Sequence, residues 1–303
     1  MPEGHSVRRL AQQFGDVFTG AALSVSSPQG RFAAGAAVLD GHTLTESRAH
    51  GKHLFLHFDH AMVLHVHLGL YGAWDFGGDA TFRGASSIGA PRKVGEQELY
   101  DAGGAGVGGE DVYQGPPEPR GAVRVRLVSG HGWADLRGAT TCAVITEAEA
   151  LAVLARLGPD PLRNLPADRA RFVDGLLARK TPVAALLMDQ KVIAGVGNVY
   201  RAEVLFRRQL DPWLPGNALS RGAAGLLWDD TAAVMSDGVR DGRIITTPAV
   251  YWEAGALLPA GEHAHYVYKR EGLPCRVCGV PVAITELAGR KLYWCPRCQQ
   301  PRE

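Results

Sequence analysis

The chain has 303 residues, 46% of them hydrophobic, enough to bury a core in two domains or in two plus a small module. No apolar run approaches the roughly 18 residues of a transmembrane helix, and the opening Met-Pro-Glu-Gly-His-Ser lacks the apolar stretch of a secretory signal, so a cytoplasmic location is expected. A formal net charge of +1 argues against a general polyanion binder, although basic residues outnumber acidic ones in 179–221 and again in 262–303, which would suit a polyanion on one face.

In chain order, Val7, Leu10, Ala11 and Phe14 share one face at helical spacing, which predicts a short amphipathic helix over 3–14, directly after Pro2. From Leu23 to Trp74 the pattern becomes that of strands, clearest at 52–58 and 62–68. Residues 122–128 with 134–145 form a further strand block. Between these, 77–121 is dense in glycine, carries Pro116-Pro117 and reads as a long, mobile hairpin connection or a partly disordered loop. Thr146-Glu147-Ala148-Glu149 reads as a helix start leading into 150–157, and Gly158-Pro159-Asp160-Pro161 as an interdomain linker. Helical patterns follow at 167–178, 182–188, 198–208 and 220–240. A β-rich first half and a helical second half make the fold class α+β.

The 5 cysteines fall as Cys142 alone and the pairs Cys275-x2-Cys278 and Cys295-x2-Cys298. An odd count, paired CxxC motifs and no secretory signal favour metal over disulfides. Four thiolates close a tetrahedral zinc sphere, so the Zn2+ is structural and holds a piece too small to fold by apolar burial alone. Cys142 reads as a small buried hydrophobe. The segment Ala288-Gly289-Arg290-Lys291 reads as a hairpin tip that presents a guanidinium, suited to phosphate or simply solvated.

Removal of Met1 would expose the secondary amine of Pro2. Such an amine condenses with a sugar aldehyde to an iminium ion, an electron sink for eliminating phosphate. A helix N-terminus disfavours its protonated form, and Glu3 adjoins it as a proton carrier. Helix-start chemistry explains the same residues equally well.

Four motifs together carry a resemblance. They are Met1-Pro2-Glu3-Gly4-His5, Gly51-Lys52 at a strand opening, the run from Asp189 through Gly195-Val196-Gly197-Asn198 to Glu203, and the terminal Gly289–Gln299. In order and spacing they resemble the formamidopyrimidine-DNA glycosylase/endonuclease VIII family across nearly the whole chain. Gly4 and Leu70-Tyr71 look like the endonuclease VIII branch, although Gly69 stands where that branch often carries a polar residue. The resemblance implies an N-terminal β-sandwich domain behind a short helix over 1–145, a helix–two-turns–helix domain over 146–260 and a four-cysteine zinc finger over 261–303. Pro2 would be the nucleophile, Glu3 the proton-transfer residue and Lys52 a phosphate ligand. Asn198, with the amides of its glycine-rich turn, and Arg290 would grip the lesion strand, and Leu70 and Tyr71 would fill the gap left by a flipped base. Cys275, Cys278, Cys295 and Cys298 would hold the zinc. The implied activity is a bifunctional glycosylase/AP lyase acting as a monomer on damaged or abasic-site DNA, away from membranes, by β,δ-elimination. Competing readings are an AP lyase with weak glycosylase activity, a catalytically silent damaged-DNA binder, and a zinc-ribbon RNA-binding factor.

Overall fold

The computed structural model describes residues 2–90, 115–261 and 263–300. Contacts divide the chain into two compact units. One comprises Met1–Pro2 with Ser6–Ala155, the other Glu3–His5 with Arg156–Glu303.

The first unit is built around helix α1 (Gly4–Phe18) from Ser6 onward, and the helix runs past the expected 3–14 because Phe18 continues its apolar face. Then come β1 (Ser24–Ser26), α2 (Ala33–Leu39), β2 (Leu44–His50), β3 (His53–Phe58) and β4 (Met62–His67). After these follow β5 (Ala73–Gly78), β6 (Ser87–Gly89), β7 (Val123–Val128), β8 (Gly132–Arg137), β9 (Thr141–Thr146) and α3 (Glu147–Leu154). The strands form two antiparallel sheets, ordered β1-β7-β8-β5-β6 and β2-β3-β4-β9. One core joins them: Leu54, Leu56, Leu64 and Val66 from one sheet meet Trp74, Phe76, Val125 and Leu136 from the other, with Leu10, Phe14 and Phe18 of α1 among them. Thr146 caps α3 through a reciprocal bond with Glu149, and Ala150 of α3 covers Phe55 and Val63 on the second face of β3 and β4.

Three expectations need correction here. The block 134–145 is not one strand: the chain turns at Gly138 (φ 64°), so β8 and β9 belong to different sheets. Helix α2 has no counterpart in the sequence reading, because Ala-Ala-Gly-Ala-Ala-Val-Leu offers no periodic contrast. The stretch 77–121 is not all connection, since 77–78 close β5 and 87–89 form β6; residues 91–114 lie outside the described residues.

The second unit contains α4 (Asp168–Leu177), α5 (Val183–Leu186), α6 (Asn198–Arg207), α7 (Arg221–Asp241), β10 (Ala283–Leu287) and β11 (Arg290–Trp294). Helix α6 is its axis: every residue from Asn198 to Phe206 is buried, and it packs on α5, α7 and β11. Ser220 caps α7 by accepting from Ala223 N at 3.1 Å. Gly158–Pro161, expected as the interdomain linker, follows directly on the boundary at Ala155/Arg156 and is tied into this unit: Gly158 N donates to Gln190 O, Pro159 O accepts from Ala194 N, and Asp160 is buried. Part of the basic excess of 179–221 is internal or paired. Arg201 is fully buried, Arg207 pairs with Asp230 and Arg221 with Asp174.

Candidate active site

In the second unit, the turn before α6 is shaped by one side chain. Gln190 accepts from Gly195 N at 2.9 Å through Oε1 and donates to Val196 O at 3.0 Å through Nε2. The turn then leads into α6 with its first amides pointing outward, and these hold Glu3. Gly197 N donates to Glu3 Oε2 at 2.7 Å and Val199 N to Oε1 at 2.8 Å, while Glu3 is fully buried. An anion is favourably placed at a helix N-terminus, which offers unpaired N–H groups and a positive dipole end. A Cβ on Gly197 would lie 2.5 Å from Glu3 Cδ, so the approach requires glycine. The sequence reading gave these amides to an external phosphate; in the structure the chain's own carboxylate occupies them. Pro2, peptide-bonded to Glu3, is buried as well.

Asn198, the first residue of α6, donates through Nδ2 to Lys291 O at 2.8 Å and accepts from Arg201. Arg201 in turn donates to Lys291 O at 3.1 Å and Leu287 O at 3.2 Å. Burial lowers the Arg201 guanidinium to about 10, with Glu3 opposing the shift and the Arg290 charge adding to it. The pair therefore anchors both sides of the β10–β11 turn, where Ala288 and Gly289 have φ of 54° and 67° and where exposed Arg290 opens β11. Sequence reasoning missed Arg201 and also Glu203, a fully buried carboxylate. Glu203 accepts from Tyr266 N at 2.8 Å, Val267 N at 2.9 Å, Tyr268 N at 2.8 Å and the Thr246 hydroxyl, and so fixes the chain entering the cysteine module. Their place in the run beginning at Asp189 is the signal the sequence offers, although each reads there as an ordinary surface charge.

The four module cysteines come together as one group. Cys275 Sγ lies 3.9 Å from Cys298 Sγ, and Cys278 Sγ 3.4 Å from Cys295 Sγ. These separations are far above a disulfide bond and bracket the roughly 3.8 Å edge of a tetrahedron with metal–sulfur bonds of about 2.3 Å. The donor set and the spacing fit zinc, with no position left for a substrate. Gln299 braces the site by accepting from Cys295 N at 2.9 Å and donating to Leu210 O at 3.1 Å. Cys142 lies half-buried on β9, and burial pushes its thiol up to about 12, which suits an inert residue.

In the first unit, Lys52 sits in the two-residue turn between β2 and β3, after Gly51 at φ 56°. It does not open the strand as the sequence suggested; it precedes it. Beside it, His53, His65 and His67 line one face of β3 and β4, with His53 Nδ1 2.9 Å from His65 Nε2. Burial lowers His53 to about 3 and His65 to about 4; burial first and the Lys52 charge second lower His67. His67 Nδ1 accepts from Gly69 N at 3.2 Å and opens the tight turn Leu68–Gly72, closed by Gly72 N to Leu68 O at 3.0 Å. That turn leaves Leu70 37% and Tyr71 80% exposed. Gly69 has φ 66°, and a Cβ there would collide with Thr140 Oγ1 at 1.9 Å, which accounts for glycine at this position.

The geometry can be set beside known proteins. The family model of the formamidopyrimidine-DNA glycosylase N-terminal domain matches residues 1–128. That of the formamidopyrimidine-DNA glycosylase H2TH domain matches 157–249, and that of a zinc finger found in FPG and IleRS matches 272–301. Endonuclease 8 1 of Mycobacterium tuberculosis is 42% identical over 300 residues, covering 99% of this chain and 100% of that protein. Formamidopyrimidine-DNA glycosylase of Thermus thermophilus is 40% identical over 147 residues, 48% of this chain and 55% of its own length. Among solved structures, the MutM (Fpg) protein of Thermus thermophilus matches with a TM-score of 0.68 at 26% identity, covering 99% of this chain and 98% of that one. A complex of Lactococcus lactis Fpg with DNA containing an abasic site gives a TM-score of 0.72 at 20% identity, covering 99% and 100%, a likeness of fold.

Proposed function

The chain belongs to the formamidopyrimidine-DNA glycosylase/endonuclease VIII family, and on that premise we propose that it is a DNA glycosylase with AP lyase activity, acting on oxidised pyrimidines in damaged DNA. The observation that carries the reading is the Glu3 carboxylate, buried and held by two amides beside Pro2 in the chain. A carboxylate fixed in this way serves proton transfer better than surface binding. The pyrimidine preference rests on Gly4, on Leu70-Tyr71 and on the full-length likeness to an endonuclease 8.

A damaged base inside a duplex is out of reach, so the nucleotide is flipped out at a cost of roughly a few kcal/mol. Leu70 and Tyr71, exposed on their turn, take up the vacated space. Lys52 and Arg290 bind phosphates flanking the lesion, and Asn198 offers its second Nδ2 hydrogen to the same strand. The Pro2 amine, freed by removal of Met1, attacks C1′. The C1′–N bond breaks, the departing base takes the proton that the Pro2 nitrogen gives up, and Glu3, once protonated, delivers its proton to the ring oxygen as the sugar opens to the iminium. The resulting iminium on the Pro2 nitrogen accepts the electron pair left by loss of a C2′ proton, and the 3′ phosphate departs. Loss of a second proton then expels the 5′ phosphate, and water releases the sugar fragment from Pro2, leaving a one-nucleotide gap. Cys275, Cys278, Cys295 and Cys298 would hold a zinc ion that stabilises the module of the Arg290 hairpin and supplies no chemistry to these steps.

Borohydride trapping on duplexes carrying an abasic site or thymine glycol tests the proposal, with Pro2→Gly and Glu3→Gln alongside. A covalent adduct on both substrates, mapped to Pro2 by mass spectrometry and absent from Pro2→Gly, is expected. Glu3→Gln should lose the thymine glycol adduct. An adduct on the abasic duplex alone leaves only the lyase. No adduct on either, with DNA binding intact, overturns the catalytic reading.

A further inference from the structure

At the end of the four-stranded sheet away from Lys52, roughly 20 Å along β3 at about 3.3 Å per residue, lies a second cluster of metal-binding side chains: His42, Asp59 and His60. Their ligand atoms all fall within 4.8 Å of one another. Asp59 Oδ1 sits between the two rings, 2.8 Å from His42 Nδ1 and 3.4 Å from His60 Nδ1. The rings stack at a centroid distance of 3.6 Å and an angle of 19°.

The backbone around these residues is fixed before any ion arrives. Asp59 N donates to Thr43 O and Asp59 Oδ2 accepts from Thr43 N, each at 3.0 Å, which clamps the β3–β4 turn to the entry of β2. His42 O accepts from Leu23 N at 3.0 Å. Both ring nitrogens of His60 are buried, and neither has a hydrogen-bond partner among the described residues. Buried polar atoms almost always have one, so an imidazole without any calls for an explanation.

We propose that His42, Asp59 and His60 form a second metal site, which takes a divalent transition ion of the zinc class. Three ligand atoms on the edges of a tetrahedron with bonds of about 2.0–2.1 Å stand roughly 3.3 Å apart. The observed 2.8 and 3.4 Å lie close to that value and every pair falls within 4.8 Å, while the stacked rings must turn apart to aim both nitrogens at one ion. Two imidazoles and one carboxylate select zinc, nickel or copper over magnesium and calcium, which require more oxygen ligands. The His42 and Asp59 side chains are 40% and 42% exposed, so an ion can enter from solvent on their side and complete its shell with water. An exposed site with water ligands exchanges its metal readily, unlike the closed four-cysteine site. Occupancy ties the start of β2 to the β3–β4 turn.

The full-length protein is dialysed against micromolar Zn2+, and bound zinc per chain is measured by elemental analysis. Two ions are expected for the wild type and one for each of His42→Asn, Asp59→Asn and His60→Asn, the remaining ion being held by the cysteines. His60→Asn breaks no hydrogen bond of the fold, so it stays informative even if Asp59→Asn unfolds. Co2+ added to protein holding only its cysteine zinc should give weak visible bands without thiolate charge transfer. A wild type that holds one zinc, or a His60→Asn variant that still holds two, overturns the proposal.

Discussion

At the scale of single residues, the decisive contact is the one between Glu3 and Gly197. The carboxylate reaches both amides only because Gly197 has no side chain, and a methyl group there would lie 2.5 Å from Glu3 Cδ. Neither the helix nor the acid can yield easily, since Glu3 and all of α6 up to Phe206 are buried. Gly197→Ala should therefore displace the carboxylate while leaving the rest of α6 in place. We expect base excision on a thymine glycol duplex to fall at least about a hundredfold, the range seen when a catalytic group is misplaced by about 1 Å. The far-UV circular dichroism should stay unchanged. A variant that excises at the wild-type rate would show that Glu3 need not be held there. Glu3 itself is legible in the sequence as part of an N-terminal motif, but its partners are not. Backbone amides have no side-chain identity, and Gly197 looks like one more glycine in a turn. Arg201 and Glu203 were hidden for a related reason: a charge in a sequence reads as solvated surface, and only tertiary structure reveals that each has several buried partners.

At the scale of elements, β3 and β4 are legible as short, largely apolar runs bounded by turns, with Leu54, Leu56, Leu64 and Val66 in the main core and Phe55 and Val63 under α3. The join between β8 and β9 is not, since the move from one sheet to the other happens at a single turn inside an apparently continuous run. The face of β3 and β4 opposite the main core carries the histidines, and they make stability depend on pH. His53 is lowered to about 3, mainly by burial with His67, His65, His50 and Lys52 adding to it, and His65 to about 4, mainly by burial with His67 adding to it. The unfolded chain takes up these protons near the ordinary value of about 6.5, whereas the folded chain resists them until far lower pH. The unfolded state therefore binds more protons between about pH 6.5 and 4, and stability falls as pH falls through that window. Above about 6.5 the contribution is complete. Thermal melting from pH 7.5 to 4.5 should show a decline that is visibly smaller in a His53→Gln/His65→Gln double variant. Equal declines in the two proteins would assign the effect to other groups.

At the scale of the whole molecule, the question is what keeps Arg290 in place. The hairpin β10–β11 is two strands of five residues each, with alternate residues of β10 exposed, and an isolated hairpin of that size is marginal in water. Its apolar support comes from Leu292 in the helical core, with Leu287 against it, and from a small cluster in which Cys275 and Cys295 are themselves members. The zinc must therefore supply much of the module's stability, as expected where metal binding and folding are one event. Asn198 and Arg201 clamp the turn by the carbonyls of Leu287 and Lys291, but they can only hold a hairpin that has formed. Cys298→Ala should lose the cysteine-bound zinc and loosen the turn, so that Arg290 no longer meets phosphate in a fixed geometry. We expect affinity for an abasic duplex, followed by fluorescence anisotropy, to drop more than about tenfold and its dependence on salt to weaken, as when a phosphate contact is lost. Trapping of a small sugar aldehyde on Pro2 with borohydride should persist, because that reaction needs the amine but no grip on a strand. A zinc-depleted variant that binds the duplex like the wild type would place the phosphate contacts elsewhere. Loss of the small-aldehyde adduct as well would mean that the module supports the fold beyond its own hairpin.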